Sequence, residues 1–233
     1  MAEAPRLIRL RRPPVIHRVA EPFVPEVSLE VVDRAWAGLV EMNPRFFDGP
    51  LLHVLGTSRN GHGGVTIHVA ESSYRYYAVQ RGLGQVQAID CGLRPLGVKG
   101  ISIVAGDGPQ RYLMAKRSAS VAYYPNAWEF APGGVVEPGE EPSATLLREL
   151  AEETAFAAAS NPSAIALLYD PEAFSWEVIF RLEVAPRGDE GDAAHAWEHT
   201  DRACVTADAW PEPLAPVAKT MASLLPRPSS GRR

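Results

Sequence analysis

The chain has 233 residues, 46% of them hydrophobic and 22% charged, with a net charge of −5. That length accommodates one large domain or two small ones, with ordinary apolar content for a core. No apolar run approaches the roughly 18 residues of a membrane span, so no membrane partner is expected. Five Arg and one Glu in residues 1–18 and three Arg in residues 227–233 give the termini +7, leaving −12 on the body. An acidic body disfavours a nucleic-acid groove and suits a cation-dependent enzyme. Behind the basic N-terminus, Pro13-Pro14 and His17 interrupt any signal-peptide core. Two cysteines, Cys91 and Cys204, fit a reducing, cytoplasmic setting better than a disulfide framework.

In chain order, Leu7 to Ile16 mixes Arg with apolar residues and predicts an edge strand. Leu29, Val32, Trp36, Leu39 and Val40 recur at helical spacing, which predicts an amphipathic helix over Ser28 to Met42, stopped by Asn43-Pro44. Leu51–Leu55 and Val65–Val69 flank a Gly-rich loop and predict a β-hairpin, with His53 and His68 read as sheet packing. Ser72 to Arg81 reads as a helix. From Leu96 the pattern turns to strands, with Val98–Ala105 and Arg111–Arg117 joined by Gly106-Asp107-Gly108-Pro109. Trp128–Phe130, Ala164–Tyr169, Glu177–Val184 and Ala203–Thr206 are further strands, a polar loop covers Ala185 to Asp192, and Pro213–Leu225 closes the chain as a helix.

The most informative stretch is Gly134 to Phe156, GVVEPGEEPSATLLRELAEETAF. Pro142 and Ser143 mark a helix start, with Ser143 the expected N-cap, and Ala144, Leu146, Leu147, Leu150 and Ala151 supply an apolar stripe. Glu149, Glu152 and Glu153 stand at i, i+3 and i+4, so their carboxylates gather at the helix's C-terminal end. That end already carries the negative pole of the helix dipole. At a separation of about 4 Å each like-charge pair costs roughly 4 kcal/mol at an effective dielectric near 20. A hard divalent cation with oxygen ligands would turn that cost into binding, whereas a solvated acidic face is the bland alternative.

The surrounding spacing favours the cation. Gly134, Glu140, Arg148, Glu149, Leu150, Glu152, Glu153 and Phe156 fall at the intervals Gly-x5-Glu-x7-Arg-Glu-apolar-x-Glu-Glu-x-Gly-apolar. This resembles the Nudix box and departs from it once, at Ala155, where the family has Gly. A Gly just past a helix usually serves a left-handed turn, and Ala there would cost about 1 kcal/mol. The lead-in Trp128-Glu129-Phe130-Ala131-Pro132-Gly133-Gly134 is also similar to the family's approach, with Ala131 inserted.

The resemblance implies an α/β fold, a Nudix α/β/α sandwich over residues 95–226, with a smaller N-terminal α+β domain over 1–94 and a flexible tail over 227–233. It implies a hydrolase for a nucleoside diphosphate linked to another group, using Mg²⁺ with Mn²⁺ as the alternative. By position, Glu149, Glu152 and Glu153 are the metal-binding carboxylates, one of them also the general base, and the carbonyl of Gly133 joins the metal shell. Arg148 is expected to point off the carboxylate face and hold Glu140. Glu198 is the candidate for a distal metal-binding acid, with Glu177, Glu183 and Asp201 competing. Arg117 and Arg111 are candidates to grip the diphosphate, and Tyr123, Tyr124 or Phe174 to stack on a base.

A second resemblance covers the first ninety-odd residues. Trp36, Asn43-Pro44-Arg45-Phe46-Phe47-Asp48-Gly49-Pro50, Ser73-Tyr74-Arg75 and Pro95-Leu96-Gly97-Val98 are similar in order and spacing to the N-terminal region of animal Nudix enzymes that cleave UDP-glucose. This favours UDP-glucose or UDP-galactose as substrate, with ADP-ribose as the alternative. A nucleotide-sensing module without turnover is a further alternative, disfavoured because all four box glutamates are present. The expected partner is thus a nucleotide-type small molecule, and a homodimer is left open.

Overall fold

The computed structural model describes residues 4–44, 46–61, 63–83, 87–187 and 198–226. Arg45 of the Asn43–Pro50 block, the predicted polar loop from residue 188 onward and the 227–233 tail therefore lie outside the described residues.

A large mixed sheet runs in the order β1 (Arg6–Arg9), β10 (Ser163–Asp170), β11 (Ser175–Pro186), β5 (Leu96–Val104), β6 (Arg111–Arg117), β12 (His199–Thr206). Three short strands extend it: β7 (Trp128–Phe130) on β6, β8 (Gly133–Val135) on β5, and β9 (Phe156–Ala158) on β11. Residues of β5 alternate between its two faces, as the strand period requires. Leu96 and Val98 pack with Leu146 and Leu150 of α3 (Pro142–Glu153). Ile101 and Ile103 pack instead with Val217, Ala218 and Met221 of α4 (Pro216–Ala222). The sheet is therefore sandwiched between helices, as the α/β/α expectation required.

A second sheet, β2 (Val15–Arg18), β4 (Val65–Ser73), β3 (Pro50–Arg59), is built mostly from the predicted hairpin. Val65, Ile67 and Val69 of β4 share one apolar cluster with Leu96 and Leu146, so the small sheet is continuous with the large sheet's core. Helices α1 (Leu29–Met42) and α2 (Tyr74–Gln80) pack together around Val32, Leu39, Tyr77 and Leu93.

Several boundaries differ from the sequence expectation. The single edge strand over Leu7 to Ile16 is two strands in two different sheets, because Pro13-Pro14 cannot donate to a ladder. Strand β4 runs through Ser73, so α2 begins at Tyr74 and not at Ser72. Strand β12 begins at His199 and not at Ala203, and α4 is confined to Pro216–Ala222.

The central helix also differs. Glu141 is the N-cap residue and Pro142 occupies the first turn, where its missing N–H is harmless, so Ser143 is not the cap. The buried stripe is Pro142, Thr145, Leu146, Leu150 and Glu153, while Ala144, Leu147 and Ala151 are exposed. Glu153 thus sits at the end of the core-facing stripe. Ala155 carries none of the expected strain: the described non-glycine residues with positive φ are Tyr124, Asn126 and Phe174. The chain leaves the helix through Thr154 in extended conformation, and its hydroxyl donates to the Leu150 carbonyl at 2.6 Å.

Candidate active site

The site forms where the end of α3 meets β8 and the β5–β6 half of the sheet. Strand β8 places Gly133 opposite Lys99 and Gly134 opposite Val98. The Gly133 N–H donates to Glu153 Oε2 at 3.1 Å. At Gly134 a Cβ would stand 2.1 Å from Glu149 Oε1, so only glycine allows this approach. Gly134→Ala is expected to push Glu149 aside and lower kcat at least about tenfold, the scale of a misplaced catalytic group. Steady-state kinetics checks this, and unchanged kcat would place Glu149 outside the machinery.

Arg148 organises the box. Its Nε and Nη2 hold both oxygens of Glu140, at 3.0 and 3.2 Å, and Thr145 Oγ1 donates to the same carboxylate at 2.8 Å. Gly139, at φ +95°, makes the turn that brings Glu140 back onto the helix. These donors hold the Glu140 carboxyl below its ordinary range, with the Arg148 hydrogen bond the main cause. The expectation that Arg148 points off the carboxylate face needs correction: its Nη1 also donates to Glu149 at 2.9 Å and to Glu152 at 3.2 Å. A planar guanidinium can serve all three acids because its donors fan out in a fixed fork.

Burial sets the protonation of two glutamates. Desolvation pushes the Glu153 carboxyl up to about 8, with the charges of Glu149, Glu129 and Glu198 adding to the effect. Desolvation likewise raises Glu149 to about 7, against the pull of Arg148. Glu198, just before β12, is near enough for its charge to act on both, and its carbonyl accepts the Ser118 N–H at 2.8 Å. Its competitors separate clearly. Glu183 and Asp201 are exposed on their strands, whereas Glu177 is buried, accepts the Ser175 hydroxyl at 2.7 Å and is pushed up by desolvation to about 7.

Behind the glutamates lies a buried charge cluster that no sequence motif announces. Glu129, at the centre of β7, receives Lys99 Nζ at 2.8 Å and Arg117 Nη1 at 2.5 Å. Burial alone would raise its carboxyl, but the two cations together hold it well below the ordinary range. His199 Nε2 stands 3.4 Å from Glu129 Oε1, and its Nδ1 is 4.0 Å from Glu153 Oε1, buried and without a hydrogen-bond partner. Glu129, Lys99 and His199 were missed as site residues because each is an isolated residue on a strand. Only the sheet register brings them together.

Three substrate-binding candidates need correction. Arg111 lies six residues from Arg117 on β6, at the end paired with Val104 and Thr206, about 20 Å away at strand rise. It cannot reach the same diphosphate. Arg117 is at the site but buried, its Nε donating to the Tyr123 carbonyl at 2.8 Å and its Nη1 committed to Glu129. The Tyr124 hydroxyl donates to Asp170 at 2.8 Å, and its ring packs against the α4-side core.

Among the described residues, no group of three or more His, Cys, Asp or Glu side chains is already gathered to hold a metal. Arg148 lies between Glu149 and Glu152, and Glu153 turns toward Gly133. The donor set nevertheless suits a hard divalent cation. It consists of carboxylates, two of which burial makes reluctant to ionise alone. Such a cation would be held by Glu149, Glu152 and Glu153, with Glu198 near them.

The NUDIX domain family model matches residues 94–226. The chain belongs to the Nudix family and is a Nudix pyrophosphohydrolase. No curated protein matches it. Among solved structures, it is similar to a MutT NUDIX hydrolase from Burkholderia pseudomallei, at 20% identity over 55% of this chain and 95% of that one, with a TM-score of 0.43. It is also similar to the Bacillus subtilis pyrophosphohydrolase BsRppH, at 21% identity over 50% and 64% of the two chains, TM-score 0.37. The NUDIX domain of Shewanella oneidensis NrtR, solved with ADP ribose, shares 22% identity over 55% and 83%, TM-score 0.37. These likenesses concern the fold and carry no substrate with them. No helix of the described residues is long and apolar enough to cross a membrane. Cys91 and Cys204 are free thiols.

Proposed function

We propose that the protein hydrolyses the diphosphate of a nucleoside diphosphate sugar, UDP-glucose or UDP-galactose, to UMP and sugar 1-phosphate. The observation that carries this reading is the position of α2. In this reading the N-terminal segment walls the site, supported by the Tyr77 hydroxyl donating to the Ala173 carbonyl at 2.8 Å and by Tyr74 lying close enough to Glu198 for that charge to raise its hydroxyl, after burial. The blocks resembling the UDP-glucose enzymes hold that wall in place. Asp48 accepts the Ser73 hydroxyl and the Arg75 N–H, and Arg75 Nη1 reaches Asp33 of α1 at 3.2 Å.

In this reading Glu149, Glu152 and Glu153 would hold Mg²⁺, with the Gly133 carbonyl and Glu198 as further oxygen donors. A bound Mg²⁺ would supply charge neutralisation at the diphosphate oxygens. Arg148 orients the carboxylates through its fork, and Gly133 N–H fixes Glu153 against the strand. Lys99 and Arg117 keep Glu129 ionised, and the cluster forms a rigid floor that orients the acids without solvent reorganisation. The second buried acid, Glu177, accepts the Ser175 hydroxyl and fills the space beside Gly97.

The test is kcat/KM for UDP-glucose against ADP-ribose at equal Mg²⁺. A site built to hydrogen-bond uracil rejects adenine by leaving buried polar groups unpaired. A preference for UDP-glucose of at least tenfold is expected. A tenfold preference for ADP-ribose, about 1.4 kcal/mol of transition-state binding, would sink the UDP-sugar reading and leave the family assignment standing.

A further inference from the structure

We propose that Phe174 is the platform on which the nucleobase of the substrate stacks, a role that rests on the nucleotide-hydrolase reading but not on uracil. Three rings were candidates on sequence. Tyr124 is committed to Asp170. Tyr123 is covered by the Arg81 guanidinium, 4.6 Å from its centroid, and neighbours Tyr77 at 6.0 Å. Phe174 alone of the three is substantially open, at 38% exposure.

Its exposure is held in place by the structure. Phe174 ends the turn between β10 and β11 at φ +53°, a left-handed conformation that is a genuine outlier for a bulky side chain. Such strain persists only where surrounding contacts over-determine it. Here Asp170 accepts the N–H groups of Glu172 and Ala173 at 3.0 and 3.4 Å, and the Tyr77 hydroxyl caps the Ala173 carbonyl. Arg81 lies over one face of the ring, 5.3 Å from its centroid. Its Nε is buried without a hydrogen-bond partner, and its guanidinium lies over the rings of both Tyr123 and Phe174.

The place suits a base. Glu177 follows Phe174 by three residues, about 10 Å along the strand, and lies against Gly97, whose other neighbour is Gly134. Gly134 in turn carries Glu149. Arg81, over Phe174, also lies over Tyr123, whose carbonyl accepts Arg117 Nε, and Arg117 pairs with Glu129 behind the glutamates, which links the ring to the floor of the site. Phe174 meets the base, and Arg81 with Tyr77 positions Phe174.

The test uses the full chain carrying Phe174→Ala or Phe174→Tyr, with melting temperature confirming the fold. Substrates are UDP-glucose, ADP-ribose and a sugar diphosphate ester lacking a base. Base–aromatic stacking is tolerant of base identity, so Phe174→Ala is expected to raise KM about tenfold or more for whichever nucleotide the wild type cleaves. The expected kcat stays within about threefold, Phe174→Tyr restores KM, and the base-free ester is unaffected. Unchanged KM, or equal loss on the base-free ester, overturns the platform. If the wild type prefers ADP-ribose, the uridine reading fails while the Phe174 effect still decides this one. If it cleaves neither nucleotide, UMP and AMP affinities decide: Phe174→Ala must weaken binding, and equal affinities overturn the proposal.

Discussion

Glu153→Gln is expected to lower kcat by at least about 10²-fold while leaving the fold intact, because it removes a charge that stabilises the transition state. The amide keeps the side chain's shape and can still accept the Gly133 N–H that fixes Glu153 now. The same variant carries a second signature in stability. The folded-state carboxyl is raised to about 8 from an ordinary 4.5, so between those values the unfolded chain ionises while the folded chain keeps its proton. Stability of the metal-free protein therefore falls as pH rises from about 5 to 8, by up to about 1.4 kcal/mol per pH unit for one group. Glu153→Gln should flatten that slope, and Mg²⁺ should offset it in the wild type. Thermal melts across that range check the sign, and a wild type that becomes more stable toward pH 8 without metal would contradict the buried, protonated Glu153.

The largest loss of stability is expected from Glu129→Gln. Glu129 is 6% exposed and is the shared partner of Lys99 and Arg117. Removing its charge leaves two buried cations facing each other, and breaking a buried pair in this way costs about 3–5 kcal/mol. Denaturant midpoints give the number directly. A loss under about 1 kcal/mol would mean that Lys99 and Arg117 find other partners, and that the floor of the site is not organised by this acid.

These two residues also show what the sequence made legible. Glu153 is found by spacing, since a local helix converts i, i+3 and i+4 directly into proximity. Its burial is less obvious, because the acid ends a stripe of Leu146 and Leu150 instead of lying on a polar face. The sandwich was legible through the Nudix resemblance, which the strands around one strong helix fit. Glu129 is different: it stands in the motif's lead-in, but its partners come from β5, β6 and β12, and no spacing rule joins them. The same blindness to register explains Arg111. A strand carrying Arg at both ends looks like one basic surface in sequence, yet its ends lie about 20 Å apart. Ala155 was misjudged because Thr154, with its hydroxyl on the helix carbonyl, ends α3 without a left-handed residue.

The central claim is that the glutamate end of α3 works as a divalent-cation hydrolytic site. Phosphate release, coupled to phosphatase and run over a panel of nucleoside diphosphate sugars with and without Mg²⁺, tests it most directly. The account predicts release that needs Mg²⁺, disappears with a chelator, returns on Mg²⁺ addition and is lost in Glu153→Gln. Release that persists at full rate in the chelated enzyme, or in Glu153→Gln with Mg²⁺, would contradict it.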